Sequence, residues 1–205
     1  MKLFYSPGAC SLGVHVLLEE IGKPYETEKV DLKSGQQYQP PFANLNPKSK
    51  VPTLQRDDGT VLTEFPAIAV WLARKNPEAN LIPTDPDAEA RILEAMDFCV
   101  ATIHMQGFSR MFRPSNFSPS AADEEAVKTR GREIFDKGFG IVDKTLAGRD
   151  YLGGERLSVA DAALFYVEFW AGRFGVELPS GCAAHFARMK ERPAVKAVLA
   201  AEGLA

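Results

Sequence analysis

Cysteine is scarce in this chain of 205 residues: Cys10, Cys99 and Cys182 are the only three. Their spacing makes neither a C-x-x-C pair nor a metal-ligand pattern, so they read as free thiols, a redox dithiol is disfavoured and no metal is expected. Long apolar runs are absent as well. None approaches the ~20 residues needed to span a bilayer, and Met1-Lys2-Leu3-Phe4-Tyr5 reaches Pro7 and Gly8 too soon for a signal-peptide core. A cytoplasmic protein with no membrane partner is the expectation. Charge blocks are missing too, since 24 basic and 27 acidic residues are scattered to a net charge of −3, which leaves no electrostatic footprint for nucleic acid. There is no internal repeat and no low-complexity tract.

What the chain does contain is a 45% hydrophobic composition, enough for a real core in one long domain or two short ones. The character changes once, at Asn80-Leu81-Ile82-Pro83-Thr84-Asp85-Pro86, a stretch with two prolines and no helical period. This divides the chain into a domain of residues 1–79, a linker of 80–86 and a domain of 87–205. Before the linker, strands over 3–5, 25–31, 52–56 and 61–63 mix with helices over 11–21 and 66–76, an α/β layer with a mixed sheet. Gly22 with Pro24 behind it stops the first helix, and Asp58-Gly59 turns a hairpin. After the linker only helices are expected, over 88–111, 121–146, 159–174, 183–191 and 194–201. Ser158-Val159-Ala160-Asp161 is a capping-box start, which concerns folding, not chemistry.

The most informative stretch is Ser6-Pro7-Gly8-Ala9-Cys10-Ser11, which turns the first strand into the first helix and leaves a thiol at the helix start. Unpaired N–H groups and the positive end of the helix dipole there favour a thiolate, either that of Cys10 or that of a bound thiol ligand. The hydroxyls of Ser11, Ser6 and Tyr5 lie near enough in sequence to donate to the same sulfur. Strand alternation and its aromatic ring make Tyr5 the weakest of these, better suited to packing.

Together with this stretch, Asn46-Pro47-Lys48-Ser49-Lys50-Val51-Pro52, Leu62-Thr63-Glu64 with Ala67-Ile68, and Ser158-Val159-Ala160-Asp161 resemble a cytosolic glutathione transferase, most like the bacterial beta class. The four motifs lie in register over nearly the whole chain. The resemblance implies the glutathione transferase fold, an α/β thioredoxin-like N-terminal domain followed by an all-α C-terminal helical domain, and a two-fold homodimer. It implies glutathione as co-substrate, conjugated to a small hydrophobic electrophile.

The resemblance also assigns residues. Val51-Pro52 is implied to be a cis bond that turns the Val51 main chain toward the ligand's cysteinyl unit. Glu64 and the backbone N–H of Phe65 are implied to hold the ammonium and carboxylate of the γ-glutamyl end, and Lys33 the glycyl carboxylate. Phe65-Pro66 stands where the family commonly has small residues. Cys10 is implied to sit beside the glutathione sulfur, where it can form a mixed disulfide.

On the first long helix of the C-terminal domain, the family carries a histidine shortly before a Gly-Phe pair, pointing at the glutathione sulfur. Counting back from Gly107-Phe108 reaches Met105, while His104 is one residue earlier and about 100° away on a regular helix. Asp97 precedes His104 by seven residues, like the family's polar partner, and a local bulge in the helix after His104 would restore the geometry. Met105, Phe108, Phe112 and Trp170 are candidates to line the electrophile pocket, with Met111 and Phe117 nearby, and Arg113 with Arg110 would suit an anionic second substrate. His15 and His185 have no partner in sequence and read as structural. Two other functions remain: a glutathione-dependent thiol transferase or peroxidase using Cys10 covalently, and a non-enzymatic interaction protein that keeps the fold.

Overall fold

The computed structural model describes residues 1–205. They form two compact units, one of Met1–Ile82 with Arg188–Ala205 and one of Pro83–Ala187.

The first unit is built on a four-stranded mixed sheet, β2-β1-β3-β4 in spatial order. Strand β1 (Lys2–Tyr5) buries Leu3, Phe4 and Tyr5, as befits the interior strand that separates β2 from the hairpin. Strand β2 (Glu26–Lys29) pairs with it in parallel, Leu3 opposite Thr27, and all four β2 residues are exposed, so this charged strand closes the sheet edge. Strands β3 (Thr53–Gln55) and β4 (Val61–Thr63) form an antiparallel hairpin. Gly59 turns that hairpin with a φ of 80°, a conformation that costs glycine nothing.

Helix α1 (Ser11–Ile21) joins β1 to β2 and ends where Gly22 adopts the left-handed conformation and donates to the Leu18 and Glu19 carbonyls. Ser11 through Leu18 are all buried. After the short helix α2 (Phe42–Leu45), helix α3 (Phe65–Lys75) follows β4. The C-terminal segment does not stay with the helical half, where the 87–205 division would put it. Helix α1 leaves apolar surface that α9 (Pro193–Ala201) covers, with Val195, Val198 and Leu199 buried, and Arg192 forks onto Glu20 with Nη2 2.8 Å from Oε2.

In the second unit, helix α4 (Pro86–Asp97) starts at Asp85, whose carboxylate accepts from the Ala88 N–H, and continues without a break into a wide segment, Phe98–Phe108, and then α5 (Ser109–Phe112). The wide segment is wound with i→i−5 hydrogen bonds, the Ser109 N–H donating to the His104 carbonyl. It lies against α6 (Glu124–Thr145) at backbone-to-backbone distance, because Gly107, Gly131 and Gly138 remove the side chains that would intervene. Helix α7 (Val159–Arg173) is the hub, buried from Val159 through Glu168. Its capping box is formed: Asp161 Oδ2 accepts from the Ser158 N–H and hydroxyl, while Oδ1 accepts from the Leu152 N–H. Helix α8 (Ser180–Glu191) starts where Asp143 accepts from the Gly181 N–H.

Candidate functional site

The turn between β1 and α1 places Cys10 immediately before the helix, with Gly8 at φ 67° and the Ala9 N–H donating to the Ser6 carbonyl. The Cys10 thiol donates to the Val51 carbonyl at 3.3 Å. Burial is the dominant influence and pushes this thiol up to about 12, against the pull of the Cys10 and Ser11 N–H groups and of Lys50. The helix start does act in the expected direction, but desolvation of a sulfur anion outweighs it. Of the two thiolates the sequence left open, that of Cys10 and that of a bound thiol ligand, this environment favours the second, with Cys10 acting as an S–H donor.

The Ser11 hydroxyl, expected among the donors to that sulfur, is engaged elsewhere. It is fully buried and folds back on the turn, accepting from the Ser6 N–H at 3.2 Å and donating to the Ser6 carbonyl at 3.3 Å. What Ser11 offers a sulfur is its backbone N–H. Tyr5 is buried with its ring 5.4 Å from that of His15, a packing role as its strand position implied.

The loop before β3 is organised by Asn46, which the sequence reading passed over. Its buried amide donates to the Lys50 carbonyl at 2.9 Å and to Thr53 Oγ1 at 2.8 Å, and its Oδ1 accepts from the Lys48 N–H. The Val51–Pro52 bond that follows is cis. Val51 packs its side chain with Phe4, Val30 and Phe42.

Glu64, the residue before α3, has φ 71° and ψ 124°, a conformation rare outside glycine. Its carboxylate stays mostly exposed and pairs with Lys48 Nζ at 2.8 Å, which also donates to Thr63 Oγ1. Such an exposed pair is worth about 0 to 1 kcal/mol, so Glu64 can exchange Lys48 for another cation at little cost. Phe65 is buried and opens helix α3, with Pro66 behind it. Lys33 is exposed on the loop after β2, its N–H donating to Asp31 Oδ1. Lys48 and Lys50 are the two cations that sequence reasoning missed, although both stand inside a motif it quoted. Their side chains look alike there, and only the fold sets them near Glu64 and Cys10.

In the second unit, His104 lies within the wide segment, half-buried, with Nδ1 3.2 Å from the Tyr166 hydroxyl and its ring 4.7 Å from that of Trp170. Asp97 does not share a face with it as an i, i+7 neighbour. Asp97 is exposed, and in a helix wound wider than the α form seven residues no longer complete whole turns.

Phe108 stacks on Trp170 at 4.2 Å and on Phe112 at 5.5 Å, and Phe174, absent from the sequence reading, meets Phe108 edge-on at 5.0 Å. Arg113 sits over the Phe112 ring. Met105 is exposed, 3.9 Å from Ser109 Oγ. Phe112 and Phe174 remain 53% and 41% exposed, so this aromatic cluster presents ring faces to solvent. A cleft of about 430 Å³ adjoins it, lined by Met111 and Phe174 and by the α6 side chains of Lys128, Thr129, Arg132, Glu133 and Asp136.

His15 and His185 do have partners, distant in sequence. His15 Nδ1 lies 2.8 Å from Glu202, and His185 lies between Glu168 and Asp161, all of them buried. No group of three His, Cys, Asp or Glu side chains is arranged to hold a metal ion.

Known proteins share both units. The profile of "Glutathione S-transferase, N-terminal domain" matches residues 8–75, and that of "Glutathione S-transferase, C-terminal domain" matches residues 125–201. The chain is 38% identical over 212 residues to the glutathione S-transferase GstA of Escherichia coli O157:H7, with all of both chains covered. A glutathione transferase homologue from Sulfitobacter, crystallised with bound glutathione, superposes with a TM-score of 0.91 at 30% identity, over 100% of this chain and 98% of the other. The beta-class enzyme of Sphingomonas chungbukensis superposes with a TM-score of 0.87 at 34% identity, over 100% of both chains.

Proposed function

Because the chain belongs to the glutathione S-transferase family, we propose that it conjugates the thiolate of glutathione to small hydrophobic electrophiles, as a detoxifying enzyme of the cytoplasm. Glutathione offers two carboxylates, an ammonium, two peptide groups and a thiol. The first unit carries a complement for each: the Val51 main chain beside Pro52, the exposed Glu64 carboxylate, the N–H of Phe65 at the start of α3, and the cations Lys33, Lys48 and Lys50.

The observation that carries the reading is the hydrogen bond from the Cys10 thiol to the Val51 carbonyl. A thiol pushed up to about 12 and donating its hydrogen to a carbonyl is a poor nucleophile but a serviceable hydrogen-bond donor. In this reading the Cys10 S–H turns from the Val51 carbonyl, which then pairs with the ligand, to the glutathione sulfur, and together with the N–H groups of Cys10 and Ser11 it lowers the cost of the thiolate. That thiolate supplies the electron pair for the new C–S bond, and a leaving group departs with its own pair, or the adduct takes a proton where the reaction is an addition. The covalent thiol-transferase alternative needs the Cys10 thiolate, which burial disfavours. The interaction-module alternative leaves the Glu64 conformation and its exchangeable partner without a use.

For the second substrate, the reading uses the exposed ring of Phe112, backed by the buried Phe108 and Trp170, with Met105 and Arg113 at the edge. His104 is proposed to join this second-substrate site: the wide winding displaces the helix register, so that a residue one place earlier takes the position Met105 would hold on an α-helix. Two copies of the chain are proposed to pair, the commonest closed assembly.

Calorimetric titration of glutathione followed by conjugation assays against a panel of electrophiles tests the function. Dissociation in the micromolar to millimolar range, about 4 to 8 kcal/mol, with turnover of at least one electrophile supports it. Absence of glutathione binding overturns it. Sedimentation tests the pairing: a mass near 22.5 kDa at micromolar concentration counts against it.

A further inference from the structure

The turn that carries Cys10 is held at a second point, from the far end of the chain. Ser11 fastens its Ser6 end. At its middle, the Gly8 N–H donates to Glu202 Oε2 at 2.8 Å, across 194 residues of sequence. The other oxygen of the same carboxylate, Oε1, lies 2.8 Å from His15 Nδ1 on α1, and the Glu202 side chain has no solvent exposure.

Glu202 is itself rigidly placed. It ends α9, where Gly203 takes a left-handed conformation, the Leu204 N–H donates to the Leu199 carbonyl and the Gly203 N–H donates to the Ala200 carbonyl, the double closure of a Schellman end. The His15 ring is packed between those of Tyr5 at 5.4 Å and Tyr25 at 5.8 Å. The carboxylate is thus fixed from both sides, and the turn is fixed by the carboxylate.

We propose that Glu202 is a positioning residue for conjugation: through the Gly8 N–H, with His15 orienting the carboxylate, it holds the Ser6–Cys10 turn so that the N–H groups of Cys10 and Ser11 converge on the glutathione sulfur, with the Cys10 S–H turning from the Val51 carbonyl to join them. The inference rests on the function proposed above. Its physical basis is that hydrogen-bond donors stabilise a sulfur anion only when aimed beforehand. A turn released at Gly8, two residues from Cys10, spreads those donors over several orientations.

The test uses the full chain and compares Glu202→Ala with Glu202→Gln, whose amide oxygen still accepts from Gly8. Glutathione dissociation is measured by calorimetry, and kcat and both KM values with a chloronitrobenzene electrophile, on protein shown folded by circular dichroism. For Glu202→Ala, glutathione should bind about tenfold more weakly and kcat should fall, while the electrophile KM stays within about twofold. Glu202→Gln should recover most of both losses. If Glu202→Ala does not fold, Glu202→Asp, one methylene shorter, takes its place with the same expected split. Folded Glu202→Ala with parental glutathione affinity and kcat overturns the inference, as does a Gln variant no better than Ala. A parent that binds glutathione but conjugates nothing overturns the proposed function, and the positioning claim is then judged on glutathione affinity alone. A parent that binds no glutathione overturns both.

Discussion

His185 sets its Nδ1 2.9 Å from Glu168 Oε2 in the core of the second unit, and neither side chain has any solvent exposure. On the other side of the ring, Nε2 lies 3.3 Å from Asp161 Oδ1, within ion-pair range though not aligned as a hydrogen bond. Burial works against a charge on the ring, but two facing carboxylates outweigh it, Glu168 chiefly, and raise His185 to about 9. Burial likewise raises Glu168, to about 7. A buried group of this kind is stable only while its charges are matched.

Stability should consequently fall as pH rises. With a folded value of about 9 against an ordinary 6.5, the folded state keeps the His185 proton where the unfolded chain has lost it. This contribution is complete below about pH 6.5 and is lost as pH climbs through about 9, and the raised Glu168 acts in the same sense. Urea unfolding at a series of pH values should show the decline in the parent, while His185→Ala should cost about 3 to 5 kcal/mol near neutrality and flatten the slope. Parallel pH profiles for parent and variant would refute the assignment.

Cys10 should alkylate slowly. Iodoacetamide labelling of the native protein, followed by peptide mass spectrometry, should give a rate well below that of an ordinary cysteine at neutral pH, because so little thiolate is present. Conjugation should survive Cys10→Ala within about tenfold, since the backbone donors at the helix start remain. Any glutathione adduct formed with oxidised glutathione should fall on the Cys10 peptide, the buried Cys99 and Cys182 being inaccessible. An adduct found only on those two would sink this account.

Glu64 and Lys48 should differ in their effect on glutathione. Glu64→Ala removes the candidate ammonium ligand and should weaken binding by about tenfold or more, roughly 1.4 kcal/mol. Lys48→Ala removes one exposed cation of the three and should change binding by at most about fivefold, the ceiling for a surface pair of roughly 1 kcal/mol. Equal effects in calorimetry would show that Glu64 does not act alone.

Gly131 should not tolerate a methyl group. A Cβ there would come within 2.7 Å of Arg110 Cβ, 2.8 Å of the Gly107 carbonyl oxygen and 3.1 Å of the Met111 N, and the two backbone atoms cannot step aside. Gly131→Ala should cost roughly 1 to 3 kcal/mol through overpacking. Gly140→Ala, on the same helix with nothing within 4 Å, should instead stabilise by about 0.5 to 1 kcal/mol. Thermal unfolding of the two variants compares them directly.

Local chemistry is what the sequence determined by itself. Alternation, helix stops and turn residues identify β1, α1, the β3–β4 hairpin and the capping box at Ser158-Asp161, because each is decided within a few residues. The motif order likewise brings Cys10, Val51-Pro52 and Glu64 to notice, and it raises the question of helix register at His104. Three things came only from the tertiary structure. The protonation state of Cys10 depends on the protein packed around its sulfur, and desolvation is not written in neighbouring residues. The partners of His15 and His185 lie 187 and 17 residues away, across contacts that no periodicity encodes. The return of α9 onto α1, which brings Glu202 to the Cys10 turn, depends on how much apolar surface α1 leaves uncovered, a sum over the whole unit that no single segment contains.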